Sequence, residues 1–540
     1  MAETDGRGAE QPSRYETYGV CAPRPEGSWT LSTLVPPARL FNSNGIRWGP
    51  DNRLWITEFN GEQVSRWDPA SDELTIGSPM GAPLRGPDDV AFDSSGAYFV
   101  TETMNGRVTG RRSDGEYVVL LDDAPGANGI TVDPHTDELY VDEMREGGRV
   151  LRVDRNQLGR YTVLADELAW CNAMEVSPLG ELCFPQVFAG LVLGIDLSSG
   201  KLRVVAEDLR LPTAVKFDGR GRLVVAEAAA GVITAIDLDS GTRQTVAKPG
   251  PGIDNFAFDG KGNLYVSNYC EGRVEQYVDG AVRRRVSAGG LIGPYQLALM
   301  PDGTLVAADA NTLVDVTPQG ALVRRTRLLI DQEFVAVGVA VAGTNLLALS
   351  GAGDVFVLSD GNPARKLIAG TGDATAQYLS TTASAATALG TDGPVALVAL
   401  AGGDVVEVRN SHVATDRVAT GLDNVTAVDR SHGLLAACDE TSGALVLMRD
   451  GARIVVPDLD HPQAVAVSHD GVYVAEAHRR RVVRVSDDGQ RQETACSDLP
   501  LGMPVEGVVH QRRCSLLDLG DGRIAIGCDG DGSVRVLTHH

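Results

Sequence analysis

The sequence has few of the residues on which several common classes of protein depend. Aromatic residues make up only 5% of the 540 residues, and the eight cysteines are scattered without a Cys-x-x-Cys pair. A zinc site built from thiolates is therefore not expected, and we expect reduced, mostly buried cysteines in a cytoplasmic protein. The nucleophile elbow, the phosphate-binding loop and the dinucleotide-binding fingerprint are all missing.

Long apolar runs and an excess of positive charge are also missing. No apolar stretch approaches the roughly 20 residues that a membrane-spanning helix needs, so no membrane partner is expected. The first residues lack the basic and apolar regions of a secretory signal, and we interpret residues 1–27 as a polar tail. The net charge of −24 argues against a nucleic-acid partner, because nucleic-acid-binding proteins present basic patches. A small molecule is the expected partner.

What the sequence has instead is one repeated phrase. Residues 43–68 read SNGIRWGPDNRLWITEFNGEQVSRWD, a pattern typical of three short strands joined by tight turns. Similar phrases begin at Gly86, Ala127, Cys171, Pro212 and Ile253, and weaker ones at Pro294, Val335, Asp423, Pro462 and Val505. The spacing of about 40 residues is that of one four-stranded propeller blade. We predict an all-β fold with two six-bladed β-propellers of four-stranded antiparallel blades, at residues 41–290 and 291–540.

An isolated strand is predicted in residues 28–40, ahead of the first full repeat. The last repeat has no fourth strand after the segment 533–537. The N-terminal strand could complete that last blade, which would remove an exposed sheet edge. The alternative is a local role at the first propeller.

The start of each inner strand is where a propeller points side chains into its central channel. These positions, one in each repeat, form a ring around the channel. In the first half, every residue of the ring offers an oxygen atom: Asn44, Asp88, Asn128, Asn172, Thr213 and Asp254. Calcium prefers carboxylate and amide oxygens, so the set predicts a divalent cation, with calcium first, on Asp88, Asn128, Asn172 and Asp254. Such a cation would polarise a carbonyl group or acidify a water molecule. Asp88 and Asp254 are then candidate catalytic carboxylates, and Asn44 and Thr213 candidate substrate contacts. The alternative is that Asn and Asp at a strand start only bind backbone amides.

The second half is mixed at the same phase. Its residues there are Tyr295, Ala336, Asn424, Gln463 and Glu506. Asn424 and Glu506 are further candidate metal ligands, and Tyr295 and Gln463 candidate substrate contacts. His461 and His478 lie near Gln463 and are candidate general bases, because histidine titrates near neutral pH. Loop histidines without a function are the alternative.

Two cations and a recurrent set of acidic residues complete the candidates. Arg47 and Lys216 lie three residues after ring positions, where they could face an anionic group of the substrate or lie on exposed strand positions. A polar residue, usually acidic, recurs at or just after the second strand: Glu58, Glu102, Glu143, Glu227, Asn268, Asp309, Asp439 and Glu476. Recurrence in nearly every repeat favours a hydrogen bond that braces a turn over a catalytic role.

The repeats resemble those of the senescence-marker/gluconolactonase superfamily, whose relatives include strictosidine synthase-like and NHL-type propellers. The phrases SNGIRW and ANGITVDP are similar to that family's inner-strand motif, and LWITEFNGEQVSRWDP is similar to a virginiamycin B lyase repeat. The resemblance covers nearly the whole chain. It implies a divalent cation, often calcium, held in the channel by Glu, Asn and Asp. By resemblance, Asn128 and Asn172 match the Asn positions and Asp88 or Asp254 the Asp. The Glu is missing, because Asn44 stands in the first repeat.

The resemblance also implies a reaction class, since the family's lactonases hydrolyse sugar lactones and the lyase opens a cyclic depsipeptide. We therefore expect a metal-assisted hydrolase or lyase that acts on a small lactone-like or cyclic metabolite. Two alternatives are a metal-independent cyclase or condensing enzyme of specialised metabolism and a non-catalytic binding scaffold, because a fold does not determine a function.

Overall fold

The structure is a computed structural model that describes most of the chain. The described residues are 14, 18–19, 22–81, 83–310, 312–327, 336–342, 345–358, 364–369, 376–381, 396–409, 412–422, 424–505 and 513–540. Strands dominate these ranges, with short 3-10 turns at Phe59–Gly61 and Thr103–Asn105. In the same ranges no helix is long and apolar enough to cross a membrane.

The first repeat shows how the sequence forms these strands. Ile46–Trp48 and Leu54–Glu58 pair in antiparallel fashion, and Gln63–Trp67 adds a third strand. Asn52 closes the first turn with a φ of 59°, a left-handed conformation that asparagine tolerates better than most residues. The strands are buried on both faces, which explains their nearly continuous apolar pattern.

The chain divides into two compact units. The first unit contains Leu40–Gly289, and the second contains Gly290–Pro504 and Gln511–His540 together with the N-terminal segment as far as Arg39. Two strands come before the first unit, β1 (Arg24–Pro25) and β2 (Trp29–Val35).

The first unit holds six four-stranded antiparallel sheets. In chain order their strands are β3 (Ile46–Trp48), β4 (Leu54–Glu58), β5 (Gln63–Trp67), β6 (Leu74–Ser78); β7 (Pro87–Phe92), β8 (Tyr98–Glu102), β9 (Arg107–Arg111), β10 (Tyr117–Leu121); β11 (Ala127–Val132), β12 (Leu139–Glu143), β13 (Glu146–Val153), β14 (Tyr161–Ala169); β15 (Glu175–Val176), β16 (Glu181–Gln186), β17 (Leu191–Asp196), β18 (Leu202–Ala206); β19 (Pro212–Phe217), β20 (Leu223–Glu227), β21 (Val232–Ile236), β22 (Arg243–Ala247); β23 (Ile253–Phe258), β24 (Leu264–Asn268), β25 (Arg273–Val278) and β26 (Ala281–Ala288).

The second unit holds the other six sheets. Their strands are β27 (Pro294–Leu299), β28 (Leu305–Asp309), β29 (Thr312–Val316), β30 (Leu322–Arg327); β31 (Ala336–Ala342), β32 (Asn345–Ser350), β33 (Val355–Leu358), β34 (Arg365–Ile368); β35 (Ala376–Thr381), β36 (Ala396–Leu400), β37 (Val405–Arg409), β38 (His412–Ala419); β39 (Val425–Ser431), β40 (Leu434–Asp439), β41 (Ala444–Arg449), β42 (Ala452–Val456); β43 (Pro462–Ser468), β44 (Gly471–Glu476), β45 (Arg481–Val485), β46 (Gln492–Ser497); β47 (Ser515–Gly520), β48 (Arg523–Cys528) and β49 (Ser533–His539).

Within each unit the sheets follow one another in a cycle. The inner strands β3, β7, β11, β15, β19 and β23 contact one another in this order, and β23 returns to β3. In the second unit β27, β31, β35, β39, β43 and β47 do the same, and β47 returns to β27. The core lies between neighbouring sheets: Ile46 and Trp67 of the first sheet, for example, pack with Tyr265 of the sixth. The predicted all-β fold of four-stranded antiparallel blades is confirmed.

The N-terminal strand lies at the edge of the last sheet. Strand β2 pairs with β49, with Leu31 opposite Leu537, so this sheet runs β2-β49-β48-β47. Described parts of the predicted polar tail, residues 1–27, contact the rest of the chain. Strand β1 pairs with β46, and Arg14 is only 2% exposed. The Arg14 guanidinium is buried because it donates hydrogen bonds to the carbonyl oxygens of Ile292 and Gly530.

The cysteines behave as the sequence predicts wherever the structure describes them. The seven described cysteines are all buried, and no disulfide joins any two of them: Cys171, Cys183, Cys270, Cys438, Cys496, Cys514 and Cys528. Cys21 lies outside the described residues. Burial raises the pKa of the Cys183 thiol to about 12, and it also raises the pKa of the thiols of Cys171, Cys438, Cys496, Cys514 and Cys528. These six thiols are therefore neutral.

Candidate functional site

The ring residues of the first unit lie at irregularities of the inner strands. The pairing register shifts at Pro87–Val90, Ala127–Ile130, Pro212–Ala214 and Ile253–Phe256, each of which spans a ring position. A β-bulge turns a side chain away from its regular direction. The bulges therefore aim the side chains of Asp88, Asn128, Thr213 and Asp254.

Two glycines allow the inner strands to approach one another closely. A Cβ atom on Gly45 would lie 2.4 Å from the Asp88 carbonyl oxygen and 2.6 Å from Asp89 Oδ1. One on Gly129 would lie 2.9 Å from the Asn172 carbonyl oxygen and 3.0 Å from Ala173 Cα. The Asn-Gly pairs of the repeat are therefore explained by contact with the next inner strand.

Asp88 and Asp254 are the acidic members of the ring. Asn44 Nδ2 donates a hydrogen bond to Asp88 Oδ2 at 2.9 Å. Burial and the neighbouring charge of Asp89 raise the pKa of Asp88 to about 7. Burial, with the charges of Asp88 and Asp89, also raises the pKa of Asp254 well above its usual value. Uncompensated carboxyl groups therefore crowd together here.

Several oxygen atoms at this place have no hydrogen-bond partner among the described residues. They are Asp89 Oδ2, Asn128 Oδ1 and Asp142 Oδ2, and all three are buried. Asp89 Oδ1 accepts from the backbone N–H of Val90, and Asp142 Oδ1 from that of Gly129. Buried acceptors are normally satisfied, so three that are not mark a place where a cation or a donor fits.

The remaining ring residues of the first unit are partly engaged with the protein. Asn128 Nδ2 and Asn172 Nδ2 both lie near the Met144 sulfur, at 3.2 and 3.7 Å. Asn172 Oδ1 accepts from the backbone N–H of Ala173 at 2.6 Å. Thr213 Oγ1 donates to the Ile253 carbonyl oxygen at 3.4 Å. Asn128 thus keeps a free oxygen, whereas Asn172 already uses one lone pair.

A cavity of about 280 Å³ lies farther along the same inner strands. It is lined by residues of all six strands: Arg47, Trp48, Phe92, Val132, Glu175, Lys216, Phe217, Ala257 and Phe258. Arg47 does not extend into solvent, because its guanidinium donates to the carbonyl oxygens of Val90 and Ile130 at 2.6 and 3.1 Å. Lys216 is 4% exposed, so the alternative of an exposed strand position is wrong.

The second unit requires a correction of phase. Its register shifts at Ala336–Gly338 and Val425–Ala427, which places Val337 and Thr426 at the ring positions. Alignment of the repeats on their apolar alternation assigned Ala336 and Asn424 to the ring. This assignment was wrong, because a bulge shifts the pairing register of a strand without changing its apolar alternation. Asn424 is exposed and donates to Thr441 Oγ1 at 3.1 Å.

Three other candidates of the second unit are Tyr295, Gln463 and Glu506. Tyr295 and Gln463 lie at register shifts, as predicted. Gln463 Nε2 donates to Glu440 Oε1 at 2.9 Å. Glu506 lies outside the described residues.

The two candidate bases are neighbours on the rim of the second unit. The rings of His461 and His478 stack with centroids 3.5 Å apart. His461 Nδ1 lies 2.9 Å from Asp460 Oδ1, and the hydrogen bond lowers the pKa of Asp460. Atoms of all three side chains lie within 4.8 Å of one another. The side chains of His461 and His478 are 45% and 61% exposed, so this pair is open to solvent.

The recurrent acidic residues brace loops, as predicted. Glu102 Oε2 accepts from the backbone N–H of Arg85, and Glu227 Oε2 from that of Arg210. In the second unit Asp309 accepts from the N–H groups of Ile292 and Gly293, both at 2.7 Å. These carboxylates fix the loops that enter the inner strands β7, β19 and β27.

Sequence reasoning missed three side chains of this region: Asp142, Met144 and Glu175. Asp142 follows three apolar strand residues, Leu139–Val141, in a strand that is buried throughout. A charged residue in such a run is a signal that could have been used. Met144 and Glu175 have no distinctive spacing, and only the cyclic packing of the sheets brings them close to the ring.

The sequence matches no model of a known protein family and no curated protein. Similar solved structures exist at low sequence identity. A virginiamycin B lyase from Staphylococcus aureus is 14% identical, with 55% of this chain and 98% of that chain covered and a TM-score of 0.38. A gluconolactonase from Xanthomonas campestris is 17% identical, with 48% and 95% covered and a TM-score of 0.38.

A calcium-binding regucalcin from Agrobacterium tumefaciens is also similar. It is 18% identical, with 44% of this chain and 85% of that chain covered and a TM-score of 0.36. Each of these proteins spans about half of the present chain. Virginiamycin B lyase and gluconolactonase, which the repeats resemble in sequence, are among the proteins of these similar structures.

Proposed function

We propose that the first unit is a divalent-cation-dependent hydrolase or lyase for a small lactone-like or cyclic metabolite. The observation that supports this proposal is the cluster of buried carboxyl groups at the ring, with acceptor oxygens that no described donor satisfies. The reaction class comes from the resemblance of the repeats.

The donor set fits a hard cation. Asp88, Asp254 and Asn128 supply oxygen atoms of the kind that calcium binds, and Asp89 supplies another. Burial and then mutual repulsion raise the pKa of Asp88 and Asp254, and a positive charge would relieve the repulsion. This donor set contains no thiolate or imidazole group, which are the ligands that zinc prefers.

The residues themselves would divide the work. Asp88, Asp254 and Asn128 would hold the cation, which when bound polarises an ester carbonyl or acidifies a water molecule. Asn44 orients Asp88 through its hydrogen bond. In the absence of the cation, the Asp88 carboxyl, with a pKa of about 7, can accept or release a proton near neutral pH. Thr213 would contact the substrate.

The test begins with the metal content of protein purified without added metal, followed by calcium titration during thermal melting. We expect one equivalent of calcium per chain and a raised Tm, because a ligand that binds only the folded state stabilises it. Ring opening of gluconolactone and of a cyclic depsipeptide would be assayed in parallel.

Substitutions identify the site. Asp88→Asn and Asp254→Asn should each lose the calcium response and the turnover while they keep the fold. Asp239→Asn is the matched control, because Asp239 is exposed on a loop of the same unit. Absence of bound metal, with no change in Tm on addition of calcium, magnesium or manganese, would contradict the proposal and favour a metal-free cyclase or a binding scaffold.

A further inference from the structure

The cavity of the first unit contains three charged groups that differ in how they are satisfied. It lies three to four residues beyond the ring, which is about 10 Å along a strand. Arg47 is held by two backbone carbonyl oxygens. Glu175 Oε2 accepts from the backbone N–H of Phe217 at 2.8 Å. Lys216 Nζ, in contrast, has no hydrogen-bond partner among the described residues.

The surroundings of Lys216 do not replace such a partner. The Phe256 ring lies under the ammonium group, with its centroid 5.8 Å from Nζ. The charges that face Lys216 are Arg47, Glu175, Asp89 and Asp254, from four different strands. A buried ammonium group without a partner is costly, and an anion placed against it removes that cost.

Charge and shape define the kind of anion. Lys216 and Arg47 are positive, and Glu175, whose Oε1 lies 3.7 Å from Arg47 Nη1, is negative. Among the charged residues that line the cavity, the balance is one positive charge, whereas Asp89 and Asp254, which also face Lys216, lie at the ring and are not part of the lining. Aromatic side chains line the rest of the cavity, namely Trp48, Phe92, Phe217 and Phe258. A cavity of about 150 Å³ already accepts benzene, so 280 Å³ accepts a ring that carries a carboxylate.

We propose that this cavity is a second binding site, for a monocarboxylate with a compact apolar body. Lys216 binds the carboxylate, Arg47 adds positive charge, and the aromatic residues contact the apolar body. None of the residues that would bind the carboxylate or its apolar body is a ring residue, so the proposal does not require the cation.

Benzoate is the probe, and benzamide is its neutral counterpart of the same shape. Isothermal titration of the full chain, with a chelator present to exclude binding through a metal, should show one benzoate per chain. Benzamide should bind at least ten-fold more weakly. Trp48 lines the cavity, so benzoate should also change the tryptophan fluorescence.

Two variants should shift affinity in opposite directions. Lys216→Met should weaken benzoate at least ten-fold and leave benzamide unchanged. Glu175→Gln keeps an acceptor for the Phe217 N–H but removes the competing negative charge, so it should strengthen benzoate several-fold. Lys261→Met, at an exposed turn of the same unit, is the control and should change nothing.

Equal affinity of the unmodified protein for benzoate and benzamide would overturn the proposal, as would unchanged benzoate binding by Lys216→Met. If Lys216→Met does not fold, Glu175→Gln decides, and a failure to strengthen benzoate counts against the site. Loss of calcium binding in Asp88→Asn, with benzoate binding retained, would separate this site from the ring.

Discussion

The two units share one architecture but differ at the centre of the ring. In the first unit, acceptor oxygens of Asp89, Asn128 and Asp142 are buried without a described donor. In the second unit, Thr426 Oγ1 donates to the Pro462 carbonyl oxygen at 2.8 Å, and Gln296 Oε1 accepts from the Val339 N–H at 3.1 Å. Bulges aim the carboxylates of Asp88 and Asp254 in the first unit, whereas three described bulges of the second unit aim the apolar Val337 and the hydrogen-bonded Thr426 and Gln463. The two units thus show that the same repeated fold can be built with or without a candidate binding site at its ring.

The largest expected effect concerns calcium affinity. The double substitution Asp88→Asn and Asp254→Asn removes both ring carboxylates, and we expect at least a hundred-fold loss of affinity by isothermal titration. Gln463→Leu and Thr426→Val change the corresponding positions of the second unit and should alter the affinity less than two-fold. If the substitutions in the second unit reduce calcium affinity as much as those in the first, the proposed difference between the two units is wrong.

The next effect concerns the close approach of the inner strands. Gly45→Ala places a Cβ atom 2.4 Å from a backbone oxygen, and we expect a loss of about 3 kcal/mol in the free energy of unfolding. In Gly338→Ala the Cβ atom would lie 2.5 Å from Gln296 Oε1 and 3.2 Å from Leu349 Cβ, which are side-chain atoms and not backbone atoms, so its cost should be smaller. Gly260→Ala, with no atom within 4 Å, is the control for chemical denaturation.

A third prediction concerns pH in the absence of metal. Because the pKa of Asp88 rises to about 7 on folding, the folded state binds more protons than the unfolded state between pH 4 and 7. Stability should therefore fall as pH rises through this range, by up to about 1.4 kcal/mol per pH unit from this group. Asp88→Asn should reduce the slope, and saturating calcium should reverse it. If the Tm of the unmodified protein and that of Asp88→Asn are both independent of pH in this range, the assignment of a raised pKa to Asp88 is wrong.

The smallest expected effect concerns the histidine pair. His461 and His478 are exposed and belong to the second unit. If the reaction takes place in the first unit, His461→Gln and His478→Gln should change lactone turnover less than three-fold. A large loss of kcat with an altered pH profile would instead transfer the chemistry to these residues.

Much of the architecture could be predicted from the sequence, because a strand that packs between two neighbours needs the same apolar residues in every repeat. The acidic residues that brace loops, such as Glu102 and Glu227, could be predicted from their recurrence alone.

The site was less predictable. Asn424 was placed at the ring because the bulge at Val425–Ala427 leaves no mark on the apolar pattern. The burial of Lys216 could not be predicted either, since it depends on five other strands that close around its side chain. Recurrence predicts scaffold well, whereas a binding site consists of positions where the repeats differ.

The pairing of β2 with β49 has a consequence for the order of folding. Leu31 and Leu537 pair across almost the whole chain, so the last sheet stays incomplete until the final strand has been synthesised. The cost of joining them is lowered because Ala38 and Gly290, the residues that flank the first unit in the chain, lie beside each other. Once the first unit has folded, the loop to be closed is shorter by some 250 residues, although loop entropy depends only weakly on length. A nascent chain would therefore fold its first unit early, and β2 would stay unpaired until β49 has been synthesised.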